Sequence, residues 1–476
     1  MSAVSALDNG TFAIRNVNVV PVAVPGVLVD CTVHVSAGRI SRISASVAAD
    51  VPPDATVVDG GGRWLVPGLA DMHVHITDAE QLVVMIAHGV THVRNMWGSP
   101  EIRALRDEVH RGARLGPVIH TAGPLVDGSP PVWPGSTEVN SAADADPVVR
   151  AQQAAGYDFV KVYSNLEPPV FEALATACRE HGFPFAGHVP YRVPLEDAVD
   201  SGAASFEHLL GFKRAVARPR YPLGMLMRAP ENVAVARRVA SGELALDDVF
   251  DPERLESLAT RIAAKGLWTC PTLVVIRNLL YTQEQSRTAL ARSASRYVPS
   301  ALLDFWNPEK DFRRAGAGDD DLSAMQAFFP QDLECVAALH RAGAPLLVGT
   351  DTPNPYVVPG DALHEEMELF VQAGLTAEQT LHAATAAAAD FRGERGRSGA
   401  IVEGASADLV LVESNPLEDI RALRQIAGVM LRGRWLPREH LDAELERCAT
   451  HYATTPTTFV TPGGYGGMLP LCSCCS

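Results

Sequence analysis

Two histidines one residue apart, His73 and His75 in Asp71-Met72-His73-Val74-His75, directly follow the apolar run Trp64-Leu65-Val66-Pro67-Gly68-Leu69. Side chains alternate between faces along a β-strand, so both imidazoles point the same way at the end of what reads as a buried strand. That is half of a metal site. Four further residues have the chemistry to complete it: Lys161 in Phe159-Val160-Lys161-Val162-Tyr163, His188 in Ala186-Gly187-His188-Val189, His208 in Phe206-Glu207-His208, and Asp351 in Gly349-Thr350-Asp351. Imidazole nitrogens suit Zn²⁺ and related borderline ions, and carboxylate oxygens complete such sites. A metal-bound water loses its proton near neutral pH and becomes a nucleophile. An aspartate beside it, here Asp351, can take that proton and pass it to a leaving amine. A second ion needs a bridging ligand. A lysine ammonium cannot bridge, but the carbamate it forms with CO₂ carries a carboxylate and can.

Taken singly, each residue has a plainer explanation. A lone histidine at a strand end is more often hydrogen-bonded in the core or rim than a ligand. Lys161 could bury its stem and send its head to solvent, and Asp351 could serve the turn before Thr352-Pro353. The argument rests on order along the chain. Short apolar runs alternate with helix-length amphipathic stretches, which implies βαβ units and a parallel sheet. The runs fall at 64–72, 90–95, 117–122, 158–163, 184–188, 204–208, 267–274 and 345–350. That is the number that closes a TIM barrel, whose active sites lie at the C-terminal mouth of the strands. The candidates sit at the ends of runs one, four, five, six and eight. The connections 209–266 and 276–344 exceed a single helix and are expected to shape the pocket or act as lids. His88, His92, His110, His181 and His340 read as helix or helix-end residues with surface roles. His120 is undecided, and His364 could face the mouth.

Residues 10–66 are rich in β-branched residues broken by glycine and proline, and strand character returns at Gly404–Val412 and Ile426–Leu436. These pieces predict a small β-unit made from both chain ends. The division expected is 1–63 and 398–449 for that unit, 64–397 for the barrel and 450–476 for a flexible Cys-rich tail. The whole chain has 476 residues, 47% of them hydrophobic, and a formal charge of −16. Such acidity argues against nucleic acid as a main partner. No secretory signal or membrane-length apolar run is visible, so a cytoplasmic location is the expectation.

Cys31, Cys178, Cys270, Cys335 and Cys448 are isolated and read as reduced thiols, whereas Cys472, Cys474 and Cys475 crowd the last five residues. Three readings of that tail stand side by side: a plain end, a thiolate metal-binding segment, or the core of a ribosomal peptide whose Cys and Ser are altered by tail-modifying enzymes.

The matching pieces Val66-Pro67-Gly68-Leu69-Ala70-Asp71-Met72-His73-Val74-His75, Gly89–Arg94, Lys161-Val162-Tyr163, Gly187-His188-Val189-Pro190, Phe206-Glu207-His208, Gly349-Thr350-Asp351 and Gly404–Val410 occur in a specific order over roughly residues 10–440. In these the chain resembles the amidohydrolase superfamily, in the group of imidazolonepropionases and prolidase-like dipeptidases. The resemblance implies an α/β fold: a distorted TIM (β/α)8 barrel with a small β-sandwich built from both chain ends. It implies that His73, His75 and Asp351 hold the more buried of two divalent ions, that His188 and His208 hold the other, and that carbamylated Lys161 bridges them with a hydroxide. It implies hydrolysis of a C–N bond in a small amide or peptide. The alternatives are a one-metal cyclic-amide hydrolase with unmodified Lys161, and a scaffold that presents its tail. Two departures stand out. Asn95 replaces an aspartate common among relatives, and His188-Val189-Pro190-Tyr191-Arg192 replaces the His-Ala-His type of many dipeptidases. Tyr163 and Arg192 lie near the mouth by position and are candidates for binding a substrate carboxylate, although a surface role is commoner for such an arginine. A homo-oligomer is compatible with the sequence.

Overall fold

The computed structural model describes residues 10–224, 226–310 and 317–455. The expected linker beyond residue 455 and the cysteines Cys472, Cys474 and Cys475 lie outside them.

Five strands open the chain: β1 (Phe12–Val19), β2 (Leu28–Ser36), β3 (Arg39–Ala45), β4 (Thr56–Asp59) and β5 (Trp64–Pro67). The barrel strands follow as β6 (Leu69–Val74), β7 (Val90–Asn95), β8 (Val118–Thr121), the two-residue β9 (Val126–Asp127) and β10 (Thr137–Glu138), then β11 (Val160–Val162), β12 (Phe185–Gly187), β13 (Ser205–Glu207) and β14 (Trp268–Cys270). Strands β15 (Leu409–Val412), β16 (Ile426–Leu431) and β17 (Arg434–Pro437) return to the first group. One sheet therefore combines both chain ends, in the order β17-β16-β15-β5-β1-β2-β3 with β4 beside β1. Its core includes Ile14, Val33, Val35, Leu65, Leu409 and Met430.

Gly68 marks the crossing between this sheet and the barrel. The run expected as one strand over 64–72 is two strands, because Trp64–Pro67 pairs with β15 and β1 while Leu69 onward pairs with β7. A Cβ at position 68 would lie 2.1 Å from Thr91 Oγ1, so only glycine permits the crossing.

The barrel staves form two parallel sheets, β6-β7-β8 and β10-β9-β11-β12-β13-β14. They are not one continuous ladder. Isolated parallel bridges join their edges at Ala122–Phe159, Thr269–Leu346 and Val74–Thr352. The eighth stave, expected over 345–350, forms no regular strand. It is nonetheless stitched to both neighbours: Leu347 N–H donates to Thr269 O (2.9 Å), Met72 N–H to Val348 O (2.9 Å) and Asp351 N–H to His73 O (2.7 Å). Gly349 explains the tightness, since a Cβ there would meet Cys270 Sγ at 2.5 Å and His73 N at 2.7 Å. The result is a distorted barrel with its staves in chain order.

The helices outside it are amphipathic in the expected way. The helix Pro252–Lys265 is capped by Asp251, whose side chain accepts from Glu253 and Arg254 N–H, and it buries Leu255, Leu258, Ala259 and Ile262 at helical spacing. Three expectations are corrected. The seventh run ends as a strand at Cys270, and Leu273–Asn278 is a helix. His92 lies buried on β7, inside the run 90–95 expected as a strand, rather than on a helix or at the surface. Residues 450–454 complete the helix Arg438–Thr454, anchored by buried Tyr452, whose hydroxyl donates to Asp78 Oδ1 at 2.7 Å. Cys31, Cys178, Cys270, Cys335 and Cys448 are buried free thiols. Among the described residues, no helix is long and apolar enough to cross a membrane.

Candidate metal centre

Strand β6 delivers His73, and the residue after it in the same alternation is His75. Their rings lie 5.3 Å apart, and His73 is 4.5 Å from the His208 ring, which is 4.9 Å from His188. Asp351 reaches into this group from the eighth stave. Its Oδ1 lies 2.8 Å from His75 Nε2 and 3.3 Å from His73 Nε2, and its Oδ2 lies 3.9 Å from His208 Nδ1. Donor atoms about 2.1 Å from a common ion stand roughly 3.0–3.4 Å apart, so the His73–Asp351 spacing suits ligands that share one, while His75 Nε2 and Asp351 are at hydrogen-bond distance. His73, His208 and Asp351 place ligand atoms within 4.8 Å of one another.

The unpaired atoms point the same way. Among the described residues, His73 Nε2, His75 Nδ1 and Lys161 Nζ are buried without a hydrogen-bond partner. An orphaned buried polar atom is costly in a finished fold. Lys161 is the extreme case: on β11 it is fully buried, and burial lowers its amine to about 8. His75, His188 and His208 are held by burial in the neutral form that ligates metals. Burial, reinforced by Lys161 and His208, pushes His188 well down, and burial brings His208 to about 3 against the pull of Asp351. Asp351 is held well below the usual carboxylate range; its burial opposes ionisation, but His208 and His73 outweigh it.

Backbone strain marks the same places. His208 (φ 64°), Thr272 (φ 50°) and Asp351 (φ 63°) are non-glycine residues in the left-handed region. Such conformations persist where surrounding contacts over-determine them, commonly at functional sites.

A shell of partners orients the rings. His73 Nδ1 pairs with Glu207 Oε2 (2.8 Å), His188 Nδ1 with Ser164 Oγ (2.8 Å) and His208 Nδ1 with Thr272 Oγ1 (2.7 Å). Each bond leaves Nε2 as the ring nitrogen it does not engage, the usual way an outer partner fixes a ligand's tautomer. Glu207 in turn receives buried Arg94, whose Nη2 lies 2.9 Å from both carboxylate oxygens, and Ser205 Oγ at 2.6 Å. Burial works against the Glu207 charge, yet Arg94, His73 and Lys161 hold the carboxyl below its ordinary range. Asp71 accepts from Thr350 Oγ1 (2.7 Å) and so ties the first stave to the eighth.

Glu207, Arg94, Ser164, Thr272 and Asp71 were not read from the sequence as parts of the site. Arg94 carried a usable signal, a charge inside an apolar strand, which is the same signal that singled out Lys161. Asn95 is fully used: its Oδ1 accepts from Ile76 N–H (2.8 Å), and its Nδ2 donates to Trp97 O (2.7 Å) and Thr121 Oγ1 (3.0 Å). It fixes the turn that follows His75.

His75, His188, His208 and Asp351 open onto a pocket that is continuous with solvent. Tyr163 lines it, stacked on His188 at 4.0 Å, with its hydroxyl accepting from Trp133 Nε1 at 2.8 Å. Arg192 does not line it; it is exposed and ion-paired with Glu167. His364 is buried against the His88 carbonyl and is also absent from the lining. The long connections contribute Met227, Leu279, Leu302 and Phe305 to the wall.

A model of the amidohydrolase family matches residues 64–436, from the strand before His73 to the last strand of the mixed sheet. The chain belongs to the amidohydrolase family. Among curated proteins, it is 26% identical over 216 residues to an adenine deaminase of Paracoccus denitrificans (strain Pd 1222), covering 41% of this chain and 35% of that one. It is 33% identical over 107 residues to the adenine deaminase of Ruegeria sp. (strain TM1040), covering 20% of this chain and 18% of that one. The chain thus spans about a fifth to a third of the length of these relatives. Among solved structures, bottromycin amidohydrolase superposes with a TM-score of 0.71 at 26% identity, covering 95% of this chain and 93% of that one. A Xaa-Pro dipeptidase with bound methionine in its active site superposes at 0.63 and 18% identity over 90% of this chain and 100% of that one, which is a likeness of fold.

Proposed function

We propose that this amidohydrolase cleaves a C–N bond of an amide or peptide, using two divalent metal ions held by His73, His75, Lys161, His188, His208 and Asp351. The observation that carries the reading is the cluster of His73, His208 and Asp351, whose ligand atoms lie within 4.8 Å of one another, together with the buried Lys161 Nζ and His73 Nε2, which have no hydrogen-bond partner. Neutral imidazoles with carboxylate oxygens suit Zn²⁺ best. Lys161 joins the set as its CO₂-derived carbamate, whose oxygens supply the bridge an amine cannot. A fraction of neutral amine, the form that adds CO₂, exists near neutral pH for a lysine lowered to about 8.

When bound, the ions polarise the carbonyl and lower the pKa of water. The remaining work belongs to the chain. Asp351 accepts a proton from the attacking water, whose oxygen bonds to the carbonyl carbon. As the C–N bond breaks, Asp351 returns that proton to the leaving nitrogen, giving a carboxylic acid and an amine. Glu207 and Arg94 hold His73, and Thr272 and Ser164 hold His208 and His188. Tyr163 faces the substrate side, where its ring and Trp133 border the bound group.

A second reading has one observation in its favour. His73, His208 and Asp351 cluster tightly enough to share a single ion, which would leave Lys161 unmodified, as in a one-metal cyclic-amide hydrolase. Metal analysis with activity screening on dipeptides, acylated amino acids and cyclic amides separates the two. Two equivalents with C–N hydrolysis support the first reading. One equivalent supports the second, and C–N hydrolysis unaffected by complete metal removal overturns both.

A further inference from the structure

The wall of the pocket is apolar and aromatic. Trp97, Trp133, Met227, Leu279, Leu302 and Phe305 dominate it, and among the described residues no lysine or arginine lines it. Away from the metal-binding floor, such a wall recognises an uncharged, apolar segment, since burying a charged group against it would go uncompensated.

One segment of this chain has that character. In a protein where 20% of residues are charged, residues 456–476 contain no Asp, Glu, Lys or Arg. They read Thr461-Pro462-Gly463-Gly464-Tyr465-Gly466-Gly467, then Met468-Leu469-Pro470-Leu471, then the cysteines. The position where the described chain stops is equally telling. The helix Arg438–Thr454 is pinned by the Tyr452 hydroxyl to Asp78. Asp78 directly follows Thr77, and both Thr77 and His75 line the pocket. Arg447 bridges to Glu80 in the same turn. The helix that ends the described residues is therefore tied to the turn at the rim of the site. Each residue can span at most about 3.3–3.6 Å, so the dozen residues between Thr455 and Met468 can cover roughly 40 Å, ample for Leu469 and Leu471 to reach the wall.

We infer that the pocket receives the chain's own segment Met468-Leu469-Pro470-Leu471, docked in cis by apolar contact with Trp133, Met227, Leu302 and Phe305. This goes beyond hydrolysis and does not require it. A tethered segment acts at an effective concentration of the order of millimolar, so even weak contacts keep the site occupied and set a threshold for outside ligands. Docking also brings Cys472, Cys474 and Cys475 to the mouth of the site.

Two measurements on the metal-loaded full chain test this, after intact mass has shown the cysteines unmodified. A p-benzoylphenylalanine photo-crosslinker replaces Leu469, and adducts are mapped. Intramolecular adducts on Met227, Leu302 or Phe305 are expected. Adducts elsewhere, none, or only between two copies would overturn docking in cis. A fluorescein-labelled peptide of residues 463–476 is then titrated into the native chain and into a Leu469→Asp/Leu471→Asp chain. The variant should bind it at least ~10-fold more tightly, because its own segment no longer competes. Equal binding by both chains, or binding by neither, would overturn the inference. Metal content and hydrolysis, read on the same samples, report on the proposed function separately, so failure of one does not pass for failure of the other.

Discussion

Replacing Arg94 with methionine tests how the site is held. The guanidinium is fully buried, stacks over Phe391 at 4.8 Å, and donates to Met72 O (2.6 Å), Ser205 Oγ (2.7 Å) and both oxygens of Glu207. Methionine fills much of the stem volume but leaves the buried Glu207 charge without its guanidinium partner. Breaking a buried pair in this way costs about 3–5 kcal/mol. At an unfolding entropy of about 2.1 cal/mol/K per residue, a chain of 476 residues loses roughly 1 °C in Tm per kcal/mol, so the drop is roughly 3–5 °C. Removing the charge as well, in Arg94→Met/Glu207→Gln, should recover a substantial part, and a double-mutant cycle should give a coupling of at least about 2 kcal/mol. Denaturant unfolding followed by circular dichroism reads both quantities. A single-mutant cost under about 1 kcal/mol, or additive effects, would refute the view that Arg94 exists to hold the Glu207 charge and, through it, His73.

Other outcomes follow from the same structure. Asp351→Asn should reduce turnover by at least about 100-fold, the lower range for a lost acid–base group, while circular dichroism stays native; normal turnover would remove Asp351 from its proton-carrying role. Lys161→Met suits an apolar strand and should leave the chain folded with one metal equivalent fewer; retention of both ions would show that Lys161 is not the bridge. Chelation should lower Tm, since an ion present at about a thousand times its Kd stabilises the native state by about 4 kcal/mol; an unchanged Tm after verified metal loss would count against a shared site. His364 donates to the His88 carbonyl at 3.0 Å, and burial, with Arg424 and His88, pushes its pKa down to about 3. Above about pH 6.5 it is neutral folded or unfolded. Below that, the unfolded chain takes up a proton the native state refuses, and stability falls by up to ~1.4 kcal/mol per pH unit. His364→Gln, which keeps a donor for His88, should show a shallower loss of Tm between pH 6.5 and 5; parallel curves would exclude this contribution.

The legible parts of the fold were those where pattern and chemistry coincide. His73 and His75 declared themselves through strand alternation, and Lys161 through a charge in an apolar run. The order of the staves gave the barrel, whose architecture the family and its solved structures share. What escaped the reading depended on contacts distant in sequence. Gly68 splits one apolar run between two sheets because Thr91 presses against it. The eighth stave loses regular strand form where Gly349 packs on His73 and Cys270. His92 was read as a surface residue although it lies in the run 90–95; every residue of β7 is buried, so a polar side chain there faces the interior. Glu207 was overlooked beside His208, since its role exists only once β7 brings Arg94 across to β13. Arg192 was drawn in by proximity in sequence to His188, and its side chain instead pairs outward with Glu167.

The central claim is that six side chains from five staves hold divalent ions. Elemental analysis of the purified full chain, alongside a His73→Ala/His75→Ala variant of native circular dichroism, tests it most directly. The account expects two equivalents of a Zn²⁺-like ion in the native chain and a loss of at least one in the variant. A native chain that retains no divalent ion after equilibration with zinc, or a variant that retains the full complement, would contradict it.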